Sequence, residues 1–446
     1  MGNRYFGTDG VRGVVGECPM TVDFALRLAS AAARVLAPTG GRVLIGKDTR
    51  LSGYLFESAL EAGFVAAGVD VQLIGPLPTP GIAYMTQRLG CHFGVVISAS
   101  HNPYHDNGIK FFDAAGTKLS DEVERRIEAL LDEPVITRPS RNLGRATRID
   151  DSRQQYQNFC ASTIPPGMDL GGFKLVIDCA NGAAYKVAPR VLADLGAEIV
   201  PIGCSPNGRN INDACGSTSP ELLQLTVPGV RADVGIALDG DGDRVVMIDA
   251  LGRVVDGDQL LYILASARRA AGDLQGPVVG TVMSNLGLEQ ALGERGIEFR
   301  RTAVGDRYVL AALHETGGTL GGETSGHILC LDKTTTGDGL ISALQVLAVM
   351  KRTGAALAEL AAPMPKYPQV MLNVKVERRF DPTADDAVCA VAERAQRRFD
   401  GRGRVVLRAS GTEPVIRVMV EGHDASMVKR AAQEIADAVE RAARAH

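Results

Sequence analysis

The chain has 446 residues, of which 45% are hydrophobic and 22% charged, as in globular proteins with enough apolar material for several cores. Lysine and arginine total 48 against 52 aspartates and glutamates, and this net charge of −4 argues against nucleic-acid binding and against disorder. At about 150 residues per domain, the length alone predicts about three domains.

The first residues predict neither a secretory leader nor a membrane anchor. They have no apolar core after a basic start, and no stretch of the sequence reaches the ~18 apolar residues that a membrane helix needs. The eight cysteines are scattered without a C-x-x-C pair. We therefore expect a cytoplasmic protein with no membrane partner. The sequence Gly-Thr-Asp-Gly-Val-Arg-Gly then places Thr8 and Arg12 among glycines.

Short β-branched runs next alternate with Ala/Leu-rich stretches, a pattern typical of βαβ units. The predicted elements are strand 42–46, helix 55–67, strand 69–74 and strand 93–97. The sequence at 41–47 is close to a P-loop. However, Asp48 stands where Ser or Thr would hold magnesium, so nucleoside triphosphate binding is not predicted.

The sequence Ser-Ala-Ser-His-Asn-Pro at 98–103 follows strand 93–97 directly. Ligands of α/β sheets gather beyond the carboxyl ends of strands, so a nucleophile or phosphate carrier fits this position. An ordinary Ser/Asn/Pro turn explains the same residues equally well. The polar, arginine-rich segment 134–151 comes next and is interpreted as a domain boundary.

The alternation then restarts with strand 173–178, helix 183–194, strand 198–202 and strand 233–238. Asp239, Asp241 and Asp243 follow at alternate positions, before a second apolar strand. Two carboxylates about 6 Å apart repel by roughly 3 kcal/mol at an effective dielectric of ~20, and a divalent cation reverses that sign. An EF-hand is excluded because Arg244 and Ala250 replace its required Gly and Glu. A metal site is favoured over a solvated acidic turn.

A third round has predicted helix 260–271, strand 278–282, helix 286–295 and helix 339–352. Within it lies the sequence Gly-Gly-Glu-Thr-Ser-Gly-His at 321–327. If this segment is extended, Glu323, Ser325 and His327 share one face and could hydrogen-bond adjacent hydroxyls, with His327 as a proton carrier. A flexible loop with one exposed histidine is an equal alternative.

After prolines at 363 and 365, the tail predicts an α+β module of strand 369–376, helix 383–398, strands 404–408 and 415–421, and helix 425–443. Arg408 and Arg417 flank hydroxyls and a Gly turn between two of these strands. Guanidinium groups and consecutive backbone N–H groups both bind phosphate, so a phosphate clamp is slightly favoured over a charged hairpin turn.

A phosphate clamp, a metal-binding acidic loop, a hydroxyl-binding loop and a loop serine together predict phosphoryl transfer on a sugar. On these motifs the chain resembles the α-D-phosphohexomutase superfamily and, within it, the bacterial phosphoglucosamine mutases. The matching motifs lie at residues 5–13, 98–103, 107–111, 239–244, 331–339 and 408–414.

The resemblance implies an α/β fold with four domains round a central cleft, rather than the three suggested by length. Three similar α/β domains with mixed sheets are followed by a smaller C-terminal α+β domain. The expected ranges are 1–150 with the phosphoserine loop, 151–255 with the metal loop, 256–364 with the sugar-recognition loop and 365–446 with the phosphate-binding loop.

The resemblance also assigns roles to single residues. It makes Ser100 the phosphoserine and places one Mg²⁺ per subunit on the Ser100 phosphate with Asp239, Asp241 and Asp243. The residues expected to bind substrate are Thr8, Arg12, Glu323, Ser325, Arg408, Ser410, Gly411, Thr412 and Arg417. The residues expected to move protons or stabilise charge are Lys110, His327, Arg244 and His101.

The implied reaction interconverts glucosamine 6-phosphate and glucosamine 1-phosphate, with glucosamine 1,6-bisphosphate as intermediate and activator. It would supply UDP-N-acetylglucosamine and cell-wall precursors. A small-molecule sugar phosphate is the expected partner, and the oligomeric state is left open, a homodimer included. Three alternatives remain: a phosphomannomutase/phosphoglucomutase acting on another sugar, a non-catalytic sugar-phosphate sensor, and a phosphatase.

Overall fold

The structure is a computed structural model that describes residues 4–7, 9–377, 380–409 and 415–444. Within these ranges the strands form four sheets that follow one another along the chain. Each sheet is described with its helices as a lobe, numbered in chain order: lobe 1 (11–148), lobe 2 (152–255), lobe 3 (257–361) and lobe 4 (369–443).

Lobe 1 is a mixed sheet between two layers of helices. Its strands are β1 (Val11–Val14), β2 (Gly41–Lys47), β3 (Val69–Pro76), β4 (Phe93–Ile97), β5 (Asp106–Asp113) and β6 (Ala146–Arg148). They lie in the order β1-β5-β4-β2-β3-β6, and β5 is antiparallel to both of its neighbours. Its helices are α1 (Val22–Leu36), α2 (Ser52–Ala66), α3 (Thr79–Arg88) and α4 (Asp121–Glu128).

The alternation of side chains along β2 explains these two helical layers. Val43 and Ile45 point to one face of the sheet, where they share a core with Phe56 and Phe64 of α2. Leu44 points to the other face and packs in a different core that includes Ile82 of α3. Both faces are covered, which suits a largely parallel, apolar sheet.

Lobe 2 repeats the mixed arrangement. Its strands are β7 (Lys174–Asp178), β8 (Glu198–Ile202), β9 (Val234–Leu238), β10 (Val245–Asp249) and β11 (Val254–Val255). They lie in the order β11-β10-β9-β7-β8, with β9 and β10 forming an antiparallel hairpin. Its helices are α5 (Ser152–Ser162), α6 (Ala188–Asp194) and α7 (Glu221–Gly229).

Lobe 3 is built on a smaller mixed sheet. Its strands are β12 (Val278–Thr281), β13 (Phe299–Thr302), β14 (Leu320–Gly322) and β15 (Ile328–Cys330), in the order β13-β12-β14-β15. Its helices are α8 (Gly257–Ala271), α9 (Leu286–Glu294), α10 (Asp306–Thr316), α11 (Gly339–Thr353) and α12 (Leu357–Ala361).

Lobe 4 differs from the others because its sheet is antiparallel throughout. Its strands are β16 (Gln369–Lys375), β17 (Gly403–Ala409) and β18 (Val415–Gly422), in the order β16-β18-β17. Its helices are α13 (Asp386–Arg398) and α14 (Ala425–Ala443). The mixed α/β sheets of lobes 1 to 3 and this smaller α+β lobe confirm the predicted fold class.

Some predicted elements have different bounds in the structure. The helix predicted over 183–194 begins only at Ala188, because residues 183–187 form turns in which the N–H groups of Tyr185 and Val187 bond carbonyl oxygens three residues back. Seven helices in the described residues were not predicted from the sequence, namely α1, α3, α4, α5, α7, α10 and α12. The segment 134–151, interpreted as a boundary, contributes β6, which pairs in parallel with β3 at the edge of the first sheet.

Candidate active site

Ser100 lies in the loop that follows β4, with its hydroxyl buried between lobes 1 and 2. Its side chain is 1% exposed, and its Oγ donates to Asp239 Oδ2 at 2.6 Å. His101 Nδ1 lies 3.4 Å from the same oxygen. The backbone of Ser100 is left-handed, with φ of +52°, which is uncommon for a residue with a Cβ and typical of functional loops. The loop therefore presents one buried hydroxyl to the second lobe.

Opposite Ser100, lobe 2 carries Asp239, Asp241 and Asp243 in the loop of the β9–β10 hairpin. One carboxylate oxygen of each lies within 4.8 Å of the others, and all three residues are buried. A Cβ on Gly240 would lie 2.6 Å from the carbonyl oxygen of Ser100, so only glycine permits this approach of the two loops. The alternate spacing thus brings three carboxylates to the Ser100 hydroxyl.

The donor set of this loop fits a hard divalent cation. Within the described residues, Asp241 Oδ1 and Asp243 Oδ1 are buried oxygens without a hydrogen-bond donor. Burial, followed by the charges of Asp243 and Asp241, raises the pKa of Asp239 well above its usual range. Crowded, partly unpaired carboxylate oxygens of this kind are the ligands that Mg²⁺ prefers. These residues could hold a metal ion.

Lys110, on β5, reaches the same loop from lobe 1. Its side chain is 3% exposed, and its Nζ lies 2.8 Å from both Asp241 Oδ2 and Asp9 Oδ2. Burial alone would lower the pKa of Lys110, but the carboxylates of Asp241 and Asp9 outweigh it and raise this pKa. Lys110 is therefore held as an ammonium beside the acidic loop.

Asp9 is the centre of a charged network that sequence reasoning missed. Its carboxylate contacts Arg12, Lys110 and Lys118, and Lys118 also bonds Asp306 at the start of α10. The network joins lobe 1 to lobe 3 across the cleft. Asp9 and Arg12 both lie in the glycine-rich N-terminal motif, but the two lysine partners of Asp9 lie about a hundred residues away along the chain.

His327 contacts the acidic loop from lobe 3. It is 4% exposed, with Nδ1 3.6 Å from Asp243 Oδ2 and Nε2 3.4 Å from Asp306 Oδ2. Burial opposes the charge of the imidazole, but Asp243 and then Asp306 raise the pKa of His327 to about 9. His101 behaves oppositely, because burial together with Arg244 and Arg12 lowers the pKa of His101 to about 4. At neutral pH, His327 is therefore protonated and His101 is neutral.

Neither alternative given for 321–327 matches the structure, which shows neither one extended segment nor an exposed histidine. Residues 323–326 form the turn of the β14–β15 hairpin, with the Gly326 N–H donating to Glu323 O at 2.9 Å and Gly326 at φ of +90°. Glycine suits this last position of the turn, because the backbone there is left-handed and a Cβ would lie 2.0 Å from Val245 O. Ser325 is exposed at the tip, Glu323 Oε1 accepts from the Gly305 N–H at 3.0 Å, and His327 is buried behind the turn.

Three of the predicted phosphate-binding or charge-stabilising arginines share one feature. In the part of the chain that the structure describes, a buried Nε without a hydrogen-bond acceptor occurs in Arg12, Arg244 and Arg408. A buried unpaired donor costs free energy unless a ligand supplies the acceptor. Arg12 and Arg244 lie at the acidic loop, while Arg408 lies in lobe 4 on β17.

Arg408 stands directly opposite Arg417 in the β17–β18 register. Burial, and then the charge of Arg417, lowers the pKa of Arg408. Two guanidinium groups in such a pair favour an anion between or beside them. Of the other predicted substrate residues, Thr8, Ser410, Gly411 and Thr412 lie outside the described residues.

Several further residues beside Ser100 were not predicted. Thr79, at the start of α3, donates through its Oγ1 to Asp241 Oδ2 at 2.8 Å. Asp48, Arg50 and Asn212 hold the Ser100 loop through hydrogen bonds. From the sequence, Asp48 was considered only in rejecting a P-loop, and Arg50 and Asn212 were not singled out. The available signal for Asp48 and Arg50 was the polar sequence Asp-Thr-Arg at 48–50, which directly follows the strand that ends at Lys47.

The described residues include no helix that is both long and apolar enough to cross a membrane. Family models match almost the whole chain. They are described as phosphoglucomutase/phosphomannomutase alpha/beta/alpha domain I over residues 3–135, domain II over 155–252, domain III over 256–367, and the C-terminal domain over 371–438.

Curated relatives are similar over their full length. A phosphoglucosamine mutase of Thiobacillus denitrificans is 56% identical over 453 aligned residues, covering 100% of this chain and 99% of the relative. A phosphoglucosamine mutase of Nitrosococcus oceani is 58% identical over 440 residues, covering 98% of each.

Solved structures share the fold. A phosphoglucomutase/phosphomannomutase family protein from Burkholderia thailandensis has a TM-score of 0.80 at 24% identity, covering 98% of this chain and 97% of that one. The N-acetylphosphoglucosamine mutase of Aspergillus fumigatus, solved with GlcNAc-6P and magnesium, has a TM-score of 0.70 at 20% identity, covering 98% and 96%.

Proposed function

The chain belongs to the phosphoglucomutase/phosphomannomutase family, and we propose that it interconverts glucosamine 6-phosphate and glucosamine 1-phosphate through a phosphoserine at Ser100. It is an isomerase that acts as an intramolecular phosphotransferase. The choice of glucosamine rests on the phosphoglucosamine mutases that are 56% and 58% identical to it over nearly the whole chain. The proposed domains are 1–150, 151–255, 256–364 and 365–446.

One observation carries the chemistry: the buried hydroxyl of Ser100 donates to Asp239 in a loop of three aspartates. A hydroxyl beside such a loop suits a phosphoryl carrier, because the transferred phosphoryl group needs positioning and charge stabilisation above all. A sugar hydroxyl then attacks the phosphorus of phospho-Ser100, forming an O–P bond as the Ser100 O–P bond breaks. The product is a sugar 1,6-bisphosphate.

The second half-reaction returns the other phosphoryl group to the Ser100 Oγ and releases the isomeric monophosphate. Asp239, Asp241 and Asp243 are proposed to hold one Mg²⁺ together with the phosphate. When bound, this ion supplies positive charge that stabilises the phosphoryl oxygens during transfer. Arg244, whose Nε lies buried at the same loop, adds a fixed guanidinium to that charge.

Lys110 and His327 are proposed to exchange protons with the sugar hydroxyls. The contact of Lys110 with Asp241 from lobe 1, and of His327 with Asp243 from lobe 3, supports this role because both side chains reach the acidic loop. His101, 3.4 Å from the Ser100 Oγ, is a third polar neighbour of the reacting oxygen. Because Lys110 and His327 both begin as charged groups, each is a proton donor first and must lose its proton before it can serve as the base that general acid–base catalysis also needs.

The sugar and its distant phosphate are proposed to bind outside this centre. Glu323 and Ser325 lie in the β14–β15 turn and suit hydroxyl recognition, while Arg12 lies at the cleft wall. Arg408 and Arg417 form a cationic pair for the phosphate that does not react. Thr8, Ser410, Gly411 and Thr412 complete the proposed substrate set.

The deciding experiment offers the protein glucosamine, glucose and mannose 6-phosphates with a trace of the matching 1,6-bisphosphate. We expect kcat/KM to be highest for glucosamine 6-phosphate and intact mass to show one phosphoryl group on Ser100. Faster turnover of glucose or mannose phosphate would make the enzyme a phosphoglucomutase or phosphomannomutase.

Two further outcomes would overturn the mutase assignment. No turnover of any sugar phosphate, with tight binding retained, would indicate a non-catalytic sensor. Release of inorganic phosphate at the rate of substrate consumption would indicate a phosphatase.

A further inference from the structure

We propose that Arg50 and Asn212 form a two-sided clamp that positions Ser100 for phosphoryl transfer. The inference rests on the proposed function and adds two positioning residues to it. Both residues donate to the same two carbonyl oxygens of the Ser100 loop, and they do so from different lobes.

Arg50 supplies the lobe 1 side of the clamp. It is 0% exposed, and its Nη2 donates to Ser100 O at 3.0 Å and to Asn102 O at 2.8 Å. Its Nη1 donates to the carbonyl oxygens of Pro103 and Asp106. One planar guanidinium therefore donates hydrogen bonds to four carbonyl oxygens of the same segment. The ammonium group of a lysine cannot reproduce this arrangement of donors.

Asp48 fixes the guanidinium and extends the support to the backbone N–H of Ser100. Its Oδ2 accepts from Arg50 Nε at 2.8 Å and from Ser98 Oγ at 2.6 Å. Ser98 Oγ in turn accepts from the Ser100 N–H at 2.9 Å. Both polar backbone groups of Ser100 are thus bound, which offsets the cost of its left-handed conformation.

Asn212 supplies the lobe 2 side of the clamp. Its Nδ2 donates to Ser100 O at 2.8 Å and to Asn102 O at 3.0 Å. Its own backbone is left-handed and is held by a bond from its N–H to Ala180 O at 2.9 Å. Since Asp239 also belongs to lobe 2, the clamp fixes the Ser100 Oγ relative to the acidic loop.

Arg50 and Asn212 would therefore fix the position of the reacting Ser100 without contacting the substrate themselves. A displacement of about 1 Å at a reacting group costs on the order of 100-fold in rate, so loosening the loop lowers kcat. It also lets water reach the phosphoserine in place of the sugar hydroxyl. Sugar-phosphate binding is made by other residues, so KM should change little.

The test compares the full-length variants Asn212→Ala and Arg50→Lys with the wild-type chain and with Asn210→Ala. Asn210 is a matched control because its side chain bonds within its own loop, to Ser205 O and the Asn207 N–H. The measurements are kcat and KM for glucosamine 6-phosphate, inorganic phosphate released per turnover, and the unfolding temperature.

We expect kcat to fall about 10- to 100-fold in both clamp variants, with KM within about two-fold of wild type and more phosphate released per turnover. Asn210→Ala should keep wild-type values. Wild-type kcat in Asn212→Ala, or an equal loss of kcat in Asn210→Ala, would overturn the clamp. If Arg50→Lys fails to fold, Asn212→Ala decides alone.

Failure of the clamp is distinguishable from failure of the proposed function. If the wild-type chain does not turn over glucosamine 6-phosphate, the proposed function is wrong. The clamp is then still tested by the rate at which intact mass shows phosphate lost from Ser100 to water. A rate equal in wild type and Asn212→Ala would overturn it.

Discussion

Ser100 combines a left-handed backbone with a buried hydroxyl, and the two properties can be separated by mutation. We expect Ser100→Ala and Ser100→Gly each to lower turnover by about 1000-fold or more, because neither side chain can carry phosphate. Glycine tolerates this backbone and alanine does not, so Ser100→Gly should be the more stable by about 1 kcal/mol. Kinetics and thermal denaturation check both statements.

Binding supplies the control for these two variants. Calorimetry should show glucosamine 6-phosphate bound with nearly wild-type affinity, since the Ser100 oxygen reacts but does not recognise the sugar. Measurable mutase turnover in either variant would contradict the phosphoserine assignment.

Asp241 divides its two oxygens between different partners. Oδ2 accepts from Thr79 and Lys110, whereas Oδ1 has no donor among the described residues and suits a cation. We expect Asp241→Asn to lower kcat by about 100-fold or more and to raise the Mg²⁺ concentration for half-maximal activity, because an amide is a weaker ligand.

A matched substitution separates this effect from the loss of any buried carboxylate. Asp249 is also buried, but it holds Leu251 and Arg253 at the far end of β10. Asp249→Asn should keep the Mg²⁺ dependence of the wild type. An Asp241→Asn enzyme with that same dependence would count against the metal loop.

At the scale of single elements, the β17–β18 pair carries two arginines opposite each other. Like charges at such positions destabilise a strand pair, and a bound phosphate removes the repulsion. We expect Arg408→Gln to raise KM for glucosamine 6-phosphate by about ten-fold or more, while the unfolding temperature without ligand stays the same or rises. Steady-state kinetics and a thermal melt measure the two effects.

The exposed Arg397 on α13 is the control for this substitution. Arg397→Gln removes the same charge from lobe 4 without touching the strand pair, so KM should be unchanged. A drop in KM for Arg408→Gln, or an equal rise in both variants, would argue against a clamp for phosphate.

The elements also show what could be read from the sequence. The strand before Ser98 and the two apolar strands around the aspartates were predictable, because uninterrupted β-branched runs flank polar loops there. The turn at 323–326 was not predicted, because the sequence left an extended segment and a flexible loop as equal alternatives and the left-handed backbone of Gly326 is not visible in it. Asn212 could not be found, because its bonds to the Ser100 loop span 112 residues and no local pattern encodes them.

At the scale of the whole molecule, lobes 1 to 3 share one hydrophobic core, whereas lobe 4 has a separate core. One hydrophobic cluster runs through lobes 1, 2 and 3, including Ile82, Tyr156 and Leu344. Tyr156 also donates to Asp338 Oδ2 at 2.6 Å, which links α5 of lobe 2 to the N-cap residue of α11 in lobe 3. Lobe 4 has a cluster of its own, built on β16, β18, α13 and α14.

The junction between lobes 3 and 4 is polar. Asn285 Nδ2 donates to Tyr367 O, and the Tyr367 N–H donates to Asn285 Oδ1, each at 3.0 Å. In addition, Arg404 Nη2 donates to Ser284 O at 2.6 Å. Polar contacts of this kind exchange readily with water, whereas a shared apolar core does not. We infer that lobe 4 is a separate cooperative unit.

This inference gives a calorimetric prediction. Ile435 and Leu344 are both 0% exposed, the first in the lobe 4 cluster and the second in the shared cluster. We expect two transitions, with Ile435→Ala lowering only one of them and Leu344→Ala only the other. Each truncation should cost about 2–5 kcal/mol, enough to move its transition by several degrees.

A single transition that both variants lower equally would mean that lobe 4 unfolds with the rest. The distinction matters for turnover, because in the proposed function the cationic pair Arg408–Arg417 binds phosphate at either end of the sugar while Ser100 stays fixed. A lobe with its own core and a polar junction can reorient as a body without disturbing the shared core. Ile435→Ala should therefore raise KM both for glucosamine 6-phosphate and for the bisphosphate, since each is proposed to bind lobe 4 through its non-reacting phosphate.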